Sequence, residues 1–109
     1  MAKNKIVIAN HKMNMLSSDI NIYLKKIKEQ INIENVIICP SCIYIPYFLK
    51  QNFKVGIQNI FYKSKGAYTG EISPRQAKSM EVDYAIVGHS ERRKYFLETN
   101  NEINQKIEL

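Results

Sequence analysis

The sequence predicts an α/β fold in which four short β-strands alternate with helices and lie parallel in one sheet. Four apolar runs rich in Ile and Val occupy residues 5–10, 35–39, 54–58 and 82–87. The runs are continuous rather than alternating, which is typical of strands buried on both faces. Since helix signals follow each run, the strand–helix order predicts parallel pairing with right-handed crossovers.

Two helices are predicted in the first half of the chain. Ser17 or Ser18 can cap the first helix, in which apolar residues at positions 20, 24, 27 and 31 recur at the helical spacing. Pro46 suits the first turn of a second, shorter helix that carries aromatic and aliphatic residues at positions 47–49.

A long segment, residues 59–73, separates the third strand from the next helix. Connections of this length inside a compact domain are uncommon and are usually functional. At its end Ser73 can cap a helix, with Pro74 at the first position and Gln76 closing a capping box. A similar box at residues 99–102 predicts a last helix, which has isoleucines 103 and 107 on one face.

Composition is that of an ordinary globular protein. The 109 residues, 45% of them hydrophobic, suffice for one domain, predicted over residues 1–109. A formal charge of +6 permits binding to nucleic acid, a membrane or an anionic substrate. Lysines 25, 26 and 28 form the only dense basic cluster, and no aromatic platform accompanies them, so no nucleic-acid partner is expected.

Cys39 and Cys42 have a CxxC spacing, which occurs in redox pairs and in half of a zinc site. No second cysteine pair or spaced histidine pair would complete four zinc ligands, so two reduced structural cysteines and no metal are the preferred interpretation. The apolar run at residues 6–9 is too short for a signal-peptide core. A cytoplasmic location without a membrane partner is expected.

The most informative segment follows the fourth strand. His89, Ser90 and Glu91 stand where ligands bind in parallel α/β folds, beyond the carboxyl ends of the strands. If Ser90 caps a following helical turn, the positive end of that turn favours a neutral His89 imidazole, which can donate a hydrogen bond to a carbonyl. Lys12 follows the first strand, at the same carboxyl-terminal end of the sheet as His89, and can stabilise negative charge. The alternatives are a histidine satisfied by backbone and a solvated lysine.

Three segments resemble triosephosphate isomerases in order and spacing. They are Ala-Asn-His-Lys-Met-Asn at residues 9–14, Gly-Ala-Tyr-Thr-Gly-Glu-Ile-Ser-Pro at residues 66–74, and Gly-His-Ser-Glu-Arg-Arg at residues 88–93. The family interconverts dihydroxyacetone phosphate and glyceraldehyde 3-phosphate. The resemblance runs from residue 5 to residue 109, over the first half of the family's length. It implies the first four βα units of a (β/α)8 barrel, which needs about 250 residues and is therefore incomplete in this chain.

The resemblance also implies roles for individual residues. Asn10 and Lys12 bind the substrate, a triose phosphate, and Lys12 and His89 are catalytic. Ser90 contacts a catalytic glutamate, and Glu91 supports the lysine and histidine from behind the site. The glutamate lies in the family's second half and no residue here matches it, so the chain alone is expected to be nearly inactive. No metal or organic cofactor is implied.

A homodimer is the further implication of the resemblance. The segment at residues 59–73 reaches into a partner subunit, surrounds Met13 and brings Thr69 near the catalytic residues of that subunit. Glu71 then pairs with Arg92 of the partner subunit. The sequence departs from the family at His11, where tryptophan is usual. The smaller ring could become charged between about pH 5 and 7, and it is not predicted to be catalytic.

Two rival interpretations remain open. The chain could be a non-catalytic remnant that acts as a self-associating half-barrel module, because an open four-stranded sheet has two unpaired edges and an uncovered face. A flavodoxin-like nucleotide binder is the weaker rival. It would carry a glycine-rich phosphate-binding segment after the first strand, where Asn-His-Lys stands instead.

Overall fold

The computed structural model describes residues 5–109, so residues 1–4 of the predicted domain lie outside it. Four strands form one sheet in the order β1 (Val7–Asn10), β2 (Val36–Cys39), β3 (Lys54–Ile57) and β4 (Tyr84–Ala85). All three pairings are parallel. The predicted α/β class is confirmed. Within the described residues β1 and β4 are the two edges, so the barrel is not closed.

Helices alternate with the strands. They are α1 (Ser17–Gln30), α2 (Ile45–Leu49), α3 (Pro74–Ser79), α4 (Ser90–Phe96) and α5 (Asn100–Glu108). Short 3-10 turns at Ile33–Asn35 and Cys42–Tyr44 precede β2 and α2.

The helix starts agree with the sequence in part. The predicted box before α3 is present, because Ser73 Oγ accepts the Gln76 N–H at 3.1 Å and Gln76 Oε1 accepts the Ser73 N–H at 3.0 Å. Neither Ser17 nor Ser18 caps α1. The cap is Leu16, whose N–H donates to Asp19 Oδ2 at 2.9 Å.

Helix α5 begins after Thr99, as predicted, but it does not bury both isoleucines. Ile103 is buried, whereas Ile107 is 69% exposed. Lys106 lies inside instead, because its ammonium has partners within the fold. Buried polar pairs thus override the hydrophobic spacing in this helix.

The core lies between the sheet and helices α1 to α3. Its members are apolar and almost fully buried; they include Ile20, Leu24, Ile38, Phe48, Val55, Ala77 and Val82. The prediction of strands buried on both faces holds for β2 and is wrong for β1, where Val7 and Ile8 are each 58% exposed, and for β4, where Tyr84 is 43% exposed. Both β1 and β4 are edge strands, and their side chains are more exposed because each has a neighbouring strand on one side only.

Strands β2 and β3 approach closely at Gly56. A Cβ at this position would lie 2.6 Å from Cys39 Sγ, so only glycine fits beside the thiol. Burial raises the pKa of the Cys39 thiol, against the opposing effect of a hydrogen bond with the Gly56 backbone. Both cysteines are free thiols, with Cys39 buried and Cys42 exposed.

Candidate active site

The turn after β1 carries Asn10, His11 and Lys12. The His11 N–H continues the sheet by donating to the Cys39 carbonyl at 3.0 Å. Lys12 then adopts a left-handed backbone, with φ of +56°, and its N–H donates to Asn10 Oδ1 at 3.0 Å. Such a φ is unusual for a residue with a Cβ, and the surrounding hydrogen bonds hold it in place. Asn10 therefore supports the Lys12 backbone directly.

Two further polar residues hold the same turn. The Lys12 carbonyl accepts hydrogen bonds from Ser41 Oγ at 3.0 Å and from Gln58 Nε2 at 2.9 Å. Gln58 Nε2 also donates to the Cys39 carbonyl at 3.0 Å. Neither Ser41 nor Gln58 was predicted. Their position just beyond the ends of β2 and β3 is the signal that could have identified them.

The turn after β4 is built on Gly88 and His89. Gly88 has φ of +72°, which favours glycine, and a Cβ there would lie 3.0 Å from the Ile103 side chain. His89, not Ser90, is the N-cap of α4: its Nδ1 accepts the Glu91 N–H at 3.0 Å. A ring nitrogen that accepts an N–H carries no proton, so the hydrogen of the neutral imidazole is on Nε2.

Glu91 connects the two turns. Its Oε1 accepts a hydrogen bond from Lys12 Nζ at 2.8 Å, and its Oε2 lies 3.8 Å from His89 Nδ1. The hydrogen bond from Lys12 is the main cause that lowers the pKa of the Glu91 carboxyl. Lys12, His89 and Glu91 are thus brought together at the carboxyl-terminal end of the strands, as expected for residues that follow parallel strands.

A buried charge cluster lies behind the His89 turn. The Glu98 carboxylate accepts hydrogen bonds from the Gly88 N–H at 3.1 Å, from Arg92 Nε at 3.4 Å and from the Lys106 ammonium. Lys106 Nζ also donates to Asn59 Oδ1 at 2.7 Å. Burial alone would raise the pKa of Glu98, but the two cations outweigh it and the net direction is down.

Sequence reasoning missed this cluster. The signal for Lys106 was its spacing of three residues from Ile103, which places both on one face of α5. Glu98 carried no comparable local signal, since it stands between two helices.

His11 is turned into the core. Only 9% of it is exposed, and its Nε2 lies 3.2 Å from the Tyr23 hydroxyl. The ring packs edge-on against Tyr23 and Phe48, with centroids 4.9 and 5.6 Å away. Burial lowers the pKa of the His11 imidazole. Its charging therefore occurs at lower pH than for an exposed histidine.

Comparison with known proteins decides the family. The family model for triosephosphate isomerase matches residues 5–109. The chain belongs to the triosephosphate isomerase family. Triosephosphate isomerase of Dictyoglomus turgidum (strain DSM 6724 / Z-1310) is 40% identical over 112 residues, which cover 96% of this chain and 45% of that protein. The corresponding protein of Clostridium botulinum (strain Loch Maree / Type A3) is 38% identical over 111 residues, with 96% and 45% covered.

Triosephosphate isomerase of Clostridium tetani (strain Massachusetts / E88) is 37% identical over 111 residues, with 96% of this chain and 44% of that protein covered. The chain thus spans a little under half the length of the triosephosphate isomerases that it matches.

The residues expected at a triosephosphate isomerase dimer interface lie at the surface. Met13 is 94% exposed, and Thr69 and Glu71 are exposed in the segment between β3 and α3. Arg92 and Glu71 line the same cleft, which has a volume of about 320 Å³. Among the described residues, no hydrogen bond joins their side chains. Arg92 contacts Glu98 of its own chain instead.

Residues 5–109 contain no cluster of three or more His, Cys, Asp or Glu side chains that could hold a metal ion. No helix formed by residues 5–109 is long and apolar enough to cross a membrane. Besides the Glu91 carboxylate, the site brings together an ammonium, an amide and an imidazole. Such groups can bind an anion and donate a hydrogen bond to a carbonyl oxygen.

Proposed function

We propose that this chain supplies the cationic and hydrogen-bond-donating half of the active site of a triosephosphate isomerase. The reaction is the interconversion of dihydroxyacetone phosphate and D-glyceraldehyde 3-phosphate through an enediolate, in glycolysis and gluconeogenesis. The observation that carries the proposal is the Lys12–Glu91–His89 arrangement, with Lys12 Nζ 2.8 Å from Glu91 and the His89 Nδ1 occupied by a backbone N–H.

In this mechanism the Nε2–H of His89 donates a hydrogen bond to the substrate carbonyl and moves protons on the substrate oxygens. The Lys12 ammonium stabilises the negative charge that develops on the enediolate and binds the substrate together with Asn10. Interactions of this kind, aimed at charge that develops in the transition state, each contribute about 10²- to 10³-fold in rate. Glu91 supports these two groups, Ser90 contacts the catalytic glutamate, and neither of them takes the proton from carbon.

A general base is still required for proton abstraction. Glu91 and Glu98 already bind cations, so neither carboxylate is a free base. By resemblance the base is a glutamate in the second half of the family, which these 109 residues do not match. The chain alone is therefore expected to be slower than a complete enzyme by at least about 10²- to 10⁴-fold, the usual contribution of a general base.

The proposal includes a homodimer in which Met13 and Thr69 meet across the interface and Glu71 pairs with Arg92 of the partner subunit. The exposure of Met13, Thr69 and Glu71 supports it. No organic cofactor, metal, nucleic acid or membrane takes part, and a cytoplasmic location stays a prediction.

The test is a chimera in which this chain is joined to the carboxyl-terminal part of the Dictyoglomus turgidum relative that lies beyond the matched segment. Isomerase activity is followed in a coupled assay. His89→Gln and Lys12→Met are each expected to lower kcat/KM by about 10²- to 10³-fold. The matched control is Lys94→Met, which removes an exposed lysine elsewhere on α4. Unchanged activity in the first two variants would reject the assigned roles.

The rival function, a self-associating half-barrel module, also has an observation in its favour. The apolar residues Ile6, Val7 and Ile8 along the β1 edge are 58–64% exposed. Exposed apolar strand edges favour pairing with another chain. Sedimentation of the 109-residue chain tests this alternative. Stable dimers that form through that edge, together with a chimera that folds but is inactive, would support it.

A further inference from the structure

His11 stands between the two residues proposed to bind the substrate, yet the mechanism above gives it no role. Its backbone N–H is fixed to β2 and its carbonyl accepts a hydrogen bond from Asn14 Nδ2 at 3.0 Å. Its side chain is buried, whereas the next two residues of the turn, Lys12 and Met13, are exposed. His11 is therefore the point at which this turn is attached to the core.

The imidazole has only one polar partner in the part of the chain that the structure describes. Nε2 meets the Tyr23 hydroxyl at 3.2 Å, while Nδ1 is buried and has no hydrogen-bond partner. An N–H left unpaired in a protein interior is rarer than an unpaired acceptor. The favoured arrangement therefore has Nε2–H donating to the Tyr23 oxygen, with Nδ1 as the unpaired acceptor.

We propose that His11 is a positioning residue, whose hydrogen bond to Tyr23 on α1 holds the turn so that the Lys12 side chain meets Glu91. The inference rests on the proposed function, since it acts through Lys12. Loss of the bond loosens the turn, because one interaction fewer then holds the strained left-handed backbone of Lys12 in place. A phenylalanine at position 11 would keep the ring but lose the N–H.

The experiment measures the Lys12–Glu91 contact itself and needs no substrate. A carbodiimide couples an amine to a carboxylate only where the two touch, and peptide mapping gives the initial rate of the Lys12–Glu91 crosslink at neutral pH. The rate is measured in the full 109-residue chain and in the chimera described above. An inactive chimera would overturn the proposed function while leaving this measurement intact.

Four variants make the test specific. His11→Phe and Tyr23→Phe keep both rings and remove opposite ends of the hydrogen bond. Each is expected to slow the crosslink by about fivefold, the ratio that corresponds to one ordinary hydrogen bond, and the double variant should slow it no further. Val82→Ala, a core truncation near β4, is the control for general destabilisation and should retain the wild-type rate.

Tyr23→Phe decides the question if His11→Phe does not fold. A wild-type crosslinking rate in folded Tyr23→Phe overturns the proposal, as does an equal loss of rate in Val82→Ala. In the chimera, positioning also predicts that His11→Phe and Tyr23→Phe lower kcat/KM together with the crosslinking rate. A variant that slows the crosslink but keeps the wild-type kcat/KM would overturn the link between the turn and catalysis.

Discussion

Lys12 Nζ and Glu91 Oε1 lie 2.8 Å apart, although 79 positions separate the two residues in the chain. The contact joins the turn after β1 to the first turn of α4, at opposite edges of the sheet. Since β1 and β4 share no backbone hydrogen bond among the described residues, this ion pair connects the two edges directly.

The first prediction concerns acid stability at Glu91. Its pKa is lowered in the folded chain by the hydrogen bond from Lys12, so the ionised carboxylate stabilises the fold at neutral pH. This stabilisation is lost as the pH falls through the unfolded and then the folded pKa. Lys12→Met should therefore show a shallower loss of unfolding free energy on acidification below about pH 5, measured by urea titration. Steepening of that loss would contradict the assignment.

The second prediction concerns His11. Its lowered pKa means that, below about pH 6.5, the unfolded chain binds a proton that the folded chain does not. Stability should therefore fall as the pH drops from about 6.5 toward the folded pKa, by at most about 1.4 kcal/mol per pH unit. His11→Phe should remove this part of the slope. His89→Gln, which leaves His11 in place, is the comparison and should retain it.

The third prediction concerns Leu97, the residue that ends α4. It has φ of +55° and is 77% exposed, so a strained backbone holds a side chain that buries little surface. Leu97→Gly should raise the free energy of unfolding by about 0.5–1 kcal/mol, seen as a higher Tm. Leu97→Ala keeps the Cβ and should show no such gain. Equal effects from the two variants would show that strain is not the cause.

The fourth prediction concerns the buried pair of Glu98 and Lys106, whose side chains are 1% and 3% exposed. Glu98→Gln leaves the Lys106 ammonium buried without its counter-charge and should cost about 3–5 kcal/mol of unfolding free energy. Adding Lys106→Met to that variant should recover a large part of the loss, because no buried charge then remains unpaired. A double variant less stable than Glu98→Gln would rule out this explanation.

Much of the fold follows from local sequence signals. The apolar runs predict the four strands, and the capping box at Ser73 places the start of α3 correctly. Where prediction and structure differ, the cause is tertiary. Burial on both faces depends on which strands are central, and an isolated run such as residues 5–10 carries no information about its place in the sheet. Ile107 is exposed for a similar reason, since partners far along the chain draw Lys106 inward.

The candidate site could be predicted only as a set of positions. Lys12, His89 and Glu91 follow strands, so their common location at the carboxyl-terminal end of the sheet is expected from topology. That His89 rather than Ser90 caps α4 depends on a side-chain rotation that the sequence does not encode. The roles of Gln58, Ser41 and Glu98 also require the fold, because each acts through a residue at least ten positions away or on another element.

The carboxylate of Glu98 has a consequence for amide hydrogen exchange. It binds the Gly88 N–H just before His89, the Arg92 side chain on α4 and the Lys106 ammonium on α5. Detachment of α5 removes the Lys106 ammonium from the Glu98 carboxylate, so that a buried charge loses its partner and the bond that protects the Gly88 amide is weakened. The last helix and the His89 turn therefore open as one cooperative unit, and their amides should exchange with solvent at a common, concerted rate.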